Sequence, residues 1–171
     1  MSDELLAPLD AETALADAPP GHKDELRLWL RLLTCTTMIE AEIRRRLRES
    51  FDTTLPRFDL LAQLERAPEG MTLGEISKRM MVSNGNVTGL ATRLAEEGLI
   101  ERRPHETDRR ATLLALTARG RREFNRQSRA HEEWIAEFFG DLSGADRQAL
   151  MRLLARTKAS LRKAITPGEE A

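Results

Sequence analysis

"SNGNVTGLATRLAEEGLIERR", residues 83–103, resists a local reading. An Asn-Gly pair ordinarily marks a turn. From Val87 onward, however, Val87, Leu90, Ala91 and Leu94 fall at i, i+3, i+4 and i+7, the apolar stripe of an amphipathic helix. Gly85 and Gly89 sit inside or at the start of that helix, and each costs about 1 kcal/mol relative to alanine. Ser83, Asn84, Asn86, Thr88 and Thr92 lie away from the stripe, with Arg93 beside them. The outward face therefore carries glycine and short polar residues where long charged side chains would serve solubility better.

The flanks supply the reason. Upstream, "MTLGEISKRMM" opens with Thr72 and Glu75 at capping-box spacing and turns Leu73, Ile76 and Met80 inward. A tight turn is expected near Met81–Ser83. Downstream, "LIERRP" and "ATLLALT" are short and apolar or β-branched, and the polar "HETDRR" separates them. That pattern predicts a two-stranded β-hairpin with a basic tip. A capped helix, a turn, a second helix and a basic hairpin make a winged helix-turn-helix. Its second helix enters the DNA major groove with its N-terminal residues nearest the base edges. Small residues there let the backbone come close, and Arg93 can reach a phosphate or a guanine.

Further out, long helices dominate. Residues 23–50 are apolar at Leu26, Trp29, Leu32, Leu33, Ile39, Ile43 and Leu47. "TLPRFDLLAQLERAPEG" follows, with Pro56 near a helix start. Residues 117–139 and 142–165 predict two more amphipathic helices broken at "GDLSGAD". The expectation is a mainly α fold. Residues 1–22 are expected to form an acidic, flexible leader, and 23–165 one domain. Its DNA-binding head spans about 55–117, with dimerisation helices at about 23–50 and 117–165.

Composition narrows the class. The chain has 171 residues and a formal net charge of −1, yet residues 1–25 hold seven acids against the single base Lys23, leaving the remainder net basic. Most of its bases are arginine, whose planar fork suits phosphate and guanine edges. A single cysteine rules out a disulfide framework and points to a reducing compartment. No apolar run approaches the ~18 residues of a membrane span, and the acidic start lacks the order of a secretory signal. The expected location is the cytoplasm.

In "LAEEGLIERRPHETDRRATLLALTARG" several spacings hold together. Gly98-Leu99-Ile100 is followed after seven residues by Asp108-Arg109-Arg110, then after six by Thr117 and Gly120. This resembles the wing signature of the multiple antibiotic resistance regulator (MarR) family of winged helix-turn-helix repressors. "RFDLLAQL" and "TLGEISKRMMVSNGNVTGLATRLAEEGLI" resemble the family's second to fourth helices. The likeness covers roughly residues 23–165, and Ala95 departs from it where a larger or acidic residue is commoner. It implies that Arg110, with Arg109, enters the minor groove and that Asp108 orients it by a charge-assisted bond. His105 then serves as a phosphate contact or spectator.

The resemblance also implies a homodimer that intertwines the first, fifth and sixth helices and reads a pseudo-palindromic operator in double-stranded DNA. Trp134, Ile135, Phe138, Phe139, Leu142, Leu150, Leu153, Leu154, Leu161 and Ile165 supply more apolar surface than a small head can cover. Family effectors are small anionic aromatic compounds held where the first, second and fifth helices meet the head. Trp29, Leu33 and Phe58 are the candidate apolar wall there, and Arg31, Arg57 or the "RRRLR" run (Arg44, Arg45, Arg46 and Arg48) the anion partners. The helix-two to helix-four text is most similar to the branch controlling aromatic and hydroxycinnamic acid breakdown, so an aromatic acid or its coenzyme A thioester is the expected signal.

No enzyme signature emerges. There is no Gly-rich phosphate loop, no H-E-x-x-H motif and no isolated carboxylate pair. No catalytic residue, cofactor or resident metal is expected. Two alternative regulators remain: a metal-responsive one using His22, Glu40, His105 and His131, and a redox-responsive one using Cys35. Cys35 is expected to be a small buried hydrophobe. A constitutive DNA binder without effector is the third alternative.

Overall fold

The structure is a computed structural model that describes residues 23–104 and 112–165. It falls into two compact units, Met1–His131 and Glu132–Ala171. In chain order the elements are α1 (Lys23–Phe51), α2 (Leu55–Glu65), β1 (Met71–Thr72), α3 (Leu73–Met80), α4 (Asn84–Glu96), β2 (Ile100–Pro104), β3 (Thr112–Leu116), α5 (Ala118–Phe138) and α6 (Gly144–Ile165).

The first unit is a helical head on a small antiparallel sheet, strand order β1-β3-β2. Ile100 pairs with Leu116 and Pro104 with Thr112. This confirms the hairpin strands, but the wing sheet has three strands rather than the expected two. β1 pairs Met71 with Leu114, and Met71 is buried against that strand. Two residues are too few to show the alternation by which a strand is recognised, so the sequence reads them as the approach to α3.

Local signals set the helix ends. Pro56 occupies the first turn of α2, where its missing N–H is no loss. Thr72 and Glu75 form a complete capping box on α3. The core is aliphatic: Leu47, Leu60, Leu61, Leu64, Ile76, Val87, Leu94 and Leu114 are fully buried. Burying each contributes about 1.5–3 kcal/mol of transfer free energy.

The apolar stripe of α1 is used unevenly. Ile43 and Leu47 are buried, whereas Leu26, Leu28, Trp29, Leu33 and Met38 stay exposed. Cys35 lies on that uncovered half and is exposed in this chain, not buried as its composition suggested. In the second unit, α6 buries no residue, and Leu150, Met151, Leu153, Leu154, Leu161 and Ile165 face out. A groove of about 780 Å3 runs between the end of α5 and α6, lined by Ile135, Phe139, Leu142, Leu150, Met151 and Leu154. No described helix is long and apolar enough to cross a membrane.

Candidate nucleic-acid interface

The turn between α3 and α4 is tight. α3 ends on Met81 in the left-handed conformation, φ 55 and ψ 39, and Val82 donates its N–H back to Ser77 O at 3.2 Å. A residue with a Cβ takes that backbone at a cost. The Ser77 hydroxyl, bonded to Val82 O at 2.5 Å, helps hold the turn. Ser83 then caps α4, its Oγ accepting from Asn86 N at 3.4 Å. The turn lies where the sequence put it, although no glycine marks it.

α4 sits with Val87, Ala91 and Leu94 buried and Ser83, Asn84, Gly85, Asn86, Thr88, Gly89 and Arg93 exposed. At about 100° per residue, Gly85 and Gly89 project opposite the buried stripe. Neither has a positive φ. A Cβ built on either meets nothing within 4 Å. The fold of this chain therefore gives no reason for glycine at either position. Beside them, Met80, Val82, Leu90 and Arg93 wall a groove of about 410 Å3.

The candidate contact residues divide by what already occupies them. The Thr88 hydroxyl donates to Asn84 O at 2.8 Å, so it offers DNA an acceptor only. Ser83 Oγ is engaged as the cap. Thr92 is half-buried and receives Arg102 Nη2 at 3.4 Å, which joins the wing to α4. Arg102 and Arg103 are exposed on β2, and the sequence reading did not single them out. The Arg-Arg pair before Pro104 was the available signal, eclipsed by the louder "DRR". Asp108, Arg109, Arg110 and His105 lie outside the described residues.

Three signature residues have a structural explanation. Gly98 has φ 70, which ends α4 without Cβ strain. The Thr117 hydroxyl donates to Gly98 O at 2.7 Å and accepts from Gly120 N at 2.9 Å. A Cβ on Gly120 would stand 1.8 Å from Leu99 O. Together they lock the start of α5 onto the end of α4. Arg57 adds a second tie, reaching from α2 to Glu97 at the end of α4, with Nη1 to Oε1 at 2.8 Å and Nη2 to Oε2 closing the fork. That bond holds the Glu97 carboxyl below its usual range against the opposing effect of burial.

The candidate effector residues are not gathered into one cavity-lining set. Trp29, Arg31 and Leu33 are exposed on α1. Phe58 is in the core, its ring centroid 5.5 Å from Phe124 and 5.1 Å from His131. Arg57 is committed to Glu97. The cavity that Arg57 does line, about 180 Å3, is lined by none of the other four. Among the described residues, no group of three or more His, Cys, Asp or Glu is placed to hold a metal.

The profile of the MarR family matches residues 53–112, from the α1–α2 corner to the start of β3. The transcriptional activatory protein BadR of Rhodopseudomonas palustris is 34% identical over 97 residues, covering 56% of this chain. The chain spans only 55% of BadR's length. A MarR family regulator from Silicibacter pomeroyi superposes with a TM-score of 0.68 at 29% identity, covering 82% of this chain and 96% of that one. Streptococcus pneumoniae FabT, solved in complex with DNA, gives 0.69 at 25% identity, covering 82% and 99%. With its capped helix pair, its three-stranded wing and the Gly98–Thr117–Gly120 lock, this chain is similar over residues 53–112 to the MarR family and shares the fold of a solved MarR family transcriptional regulator.

Proposed function

We propose that the protein is a sequence-specific DNA-binding regulator acting as a homodimer, with α4 in the major groove. The observation that carries this is the exposed glycine pair. Gly85 and Gly89 weaken α4, fill no tight contact and adopt no special backbone, so their value lies in close approach by something outside the chain. Asn84, Asn86 and Arg93 flank them with base-reading groups, and Ser83, Thr88 and Thr92 complete the face. Asp108, Arg109 and Arg110 are assigned to the minor groove by the wing signature. FabT's solution with DNA supports the same use of the fold. Unpartnered leucines on α6 and the apolar half of α1 supply the surface for the second copy.

The regulator represses by occupying its operator and is released by a small anionic aromatic acid or its coenzyme A thioester. Exposed Trp29 and Leu33, one turn apart on α1, support an effector contact there, while Arg31 projects to the opposite side of the helix. Arg57 and Phe58 join it only if the Glu97 pair and the Phe124 packing open. A second reading, activation, is favoured by the description of BadR as an activatory protein. Footprinting on the upstream DNA, repeated with hydroxycinnamates and their thioesters, tests operator binding and release, and transcription from that DNA with and without the protein separates repression from activation. Protection of two half-sites one helical turn apart, lost on adding the acid or thioester, is the expected result. Protection that persists with every compound leaves a constitutive binder.

A further inference from the structure

From Ile76 to Ala95 the sequence holds three bases, Lys78, Arg79 and Arg93, and no acid. All three are exposed, and none has an ion pair among the described residues. Apolar surface lies beside them. Met81 is 91% exposed and Val82 37%, and Pro56, Met80, Val82 and Leu90 wall the groove of about 410 Å3. A phosphate backbone rewards the cations but gains little from exposed methionine and valine. A partner that is both acidic and apolar engages the whole face.

Residues 1–22, which lie outside the described residues, have that chemistry. They hold Asp3, Glu4, Asp10, Glu12 and Asp17 with no Lys or Arg, and Leu5, Leu6 and Leu9 stand among the first of these acids. The arginine run of α1 is already matched, Arg44 by Glu40 and Arg45 and Arg46 by Glu42. α6 is basic as well, but its leucines are the surface given above to the second copy. Reach is sufficient. α1 has 29 residues, so running back along its whole length, ~43 Å at ~1.5 Å per residue, takes only about 13 extended residues. Residues 1–9, with Asp3, Glu4 and all three leucines, remain for contact. We propose that this segment docks on the α3–α4 face, its leucines in the Met80–Val82–Leu90 groove and its acids against Lys78, Arg79 and Arg93, and so competes with DNA. The competition rests on the reading of α4 as the DNA-contacting helix; the docking does not.

The test uses the full chain labelled with nitrogen-15, at low ionic strength and without DNA. One variant neutralises the leader (Asp3→Asn, Glu4→Gln, Asp10→Asn, Glu12→Gln). A second keeps its charge and removes the apolar contact (Leu5→Ser, Leu6→Ser, Leu9→Ser). Both should displace the Val82, Gly85 and Gly89 amide signals from their parent positions, and a synthetic peptide of residues 1–22 should return them saturably. Both should also bind a duplex, selected by the parent from a random-sequence pool, about fivefold more tightly than the parent does, because an intramolecular competitor has been removed. Amide signals unchanged in both variants, or changes confined to α1 or α6, overturn the docking. Tighter DNA binding by the neutral variant alone means general repulsion of DNA by the acids and overturns it too. If neither the parent nor a variant binds any duplex, the DNA reading of α4 fails, and the amide signals still decide the docking.

Discussion

On the proposed reading, Gly85 and Gly89 set stability against DNA binding. With open space around each Cβ position, Gly89→Ala should stabilise the free protein by up to about 1 kcal/mol, because alanine is the better helix former. Calorimetric denaturation would show a raised midpoint. Gly120→Ala should do the opposite. Its Cβ collides with the Leu99 carbonyl, and relieving that overlap means separating α5 from α4, at a cost of about 1–3 kcal/mol or more. Asn86→Ala addresses specificity instead. Its exposed amide can bond adenine edges, so discrimination among operator variants should fall more than non-specific affinity, measured by competition binding. Parallel losses would place Asn86 on the DNA backbone.

α4 is held by its ends: Ser83 at one, and Gly98, Thr117 and the Arg57–Glu97 fork at the other. The fork has a pH signature. Because Arg57 depresses the Glu97 carboxyl, its contribution is present above the ordinary glutamate range of about 4.3 and disappears as pH falls through the lowered value. Glu97→Gln should therefore lower the thermal midpoint at pH 7, and the gap to the parent should close in acid. Both partners keep solvent contact, so the effect stays below about 1 kcal/mol. The α4 stripe and the α3 capping box were legible because both follow strict local spacing. β1 was not, since Met71 and Thr72 become a strand only by pairing with β3. Nor was the fork, whose partners lie forty residues apart in sequence. The exposure of Cys35 was equally hidden, because amphipathic spacing says which face is apolar and not whether anything covers it.

The uncovered apolar faces of α1 and α6 make the second copy the largest quantity in the account. Leu150→Asp with Leu154→Asp should shift sedimentation from dimer to monomer and reduce affinity for a two-half-site duplex far more than for one half-site. If the aromatic effector acts by changing half-site spacing, operator DNA must weaken effector binding by the factor by which effector weakens DNA binding. Titration calorimetry with and without operator reads that factor. The central claim, that the glycine face of α4 lies against DNA, is tested most directly by the affinity of Gly85→Leu/Gly89→Leu for a duplex that the parent selects from a random-sequence pool. The account predicts a folded dimer whose affinity falls at least a hundredfold. Affinity equal to the parent's would contradict it.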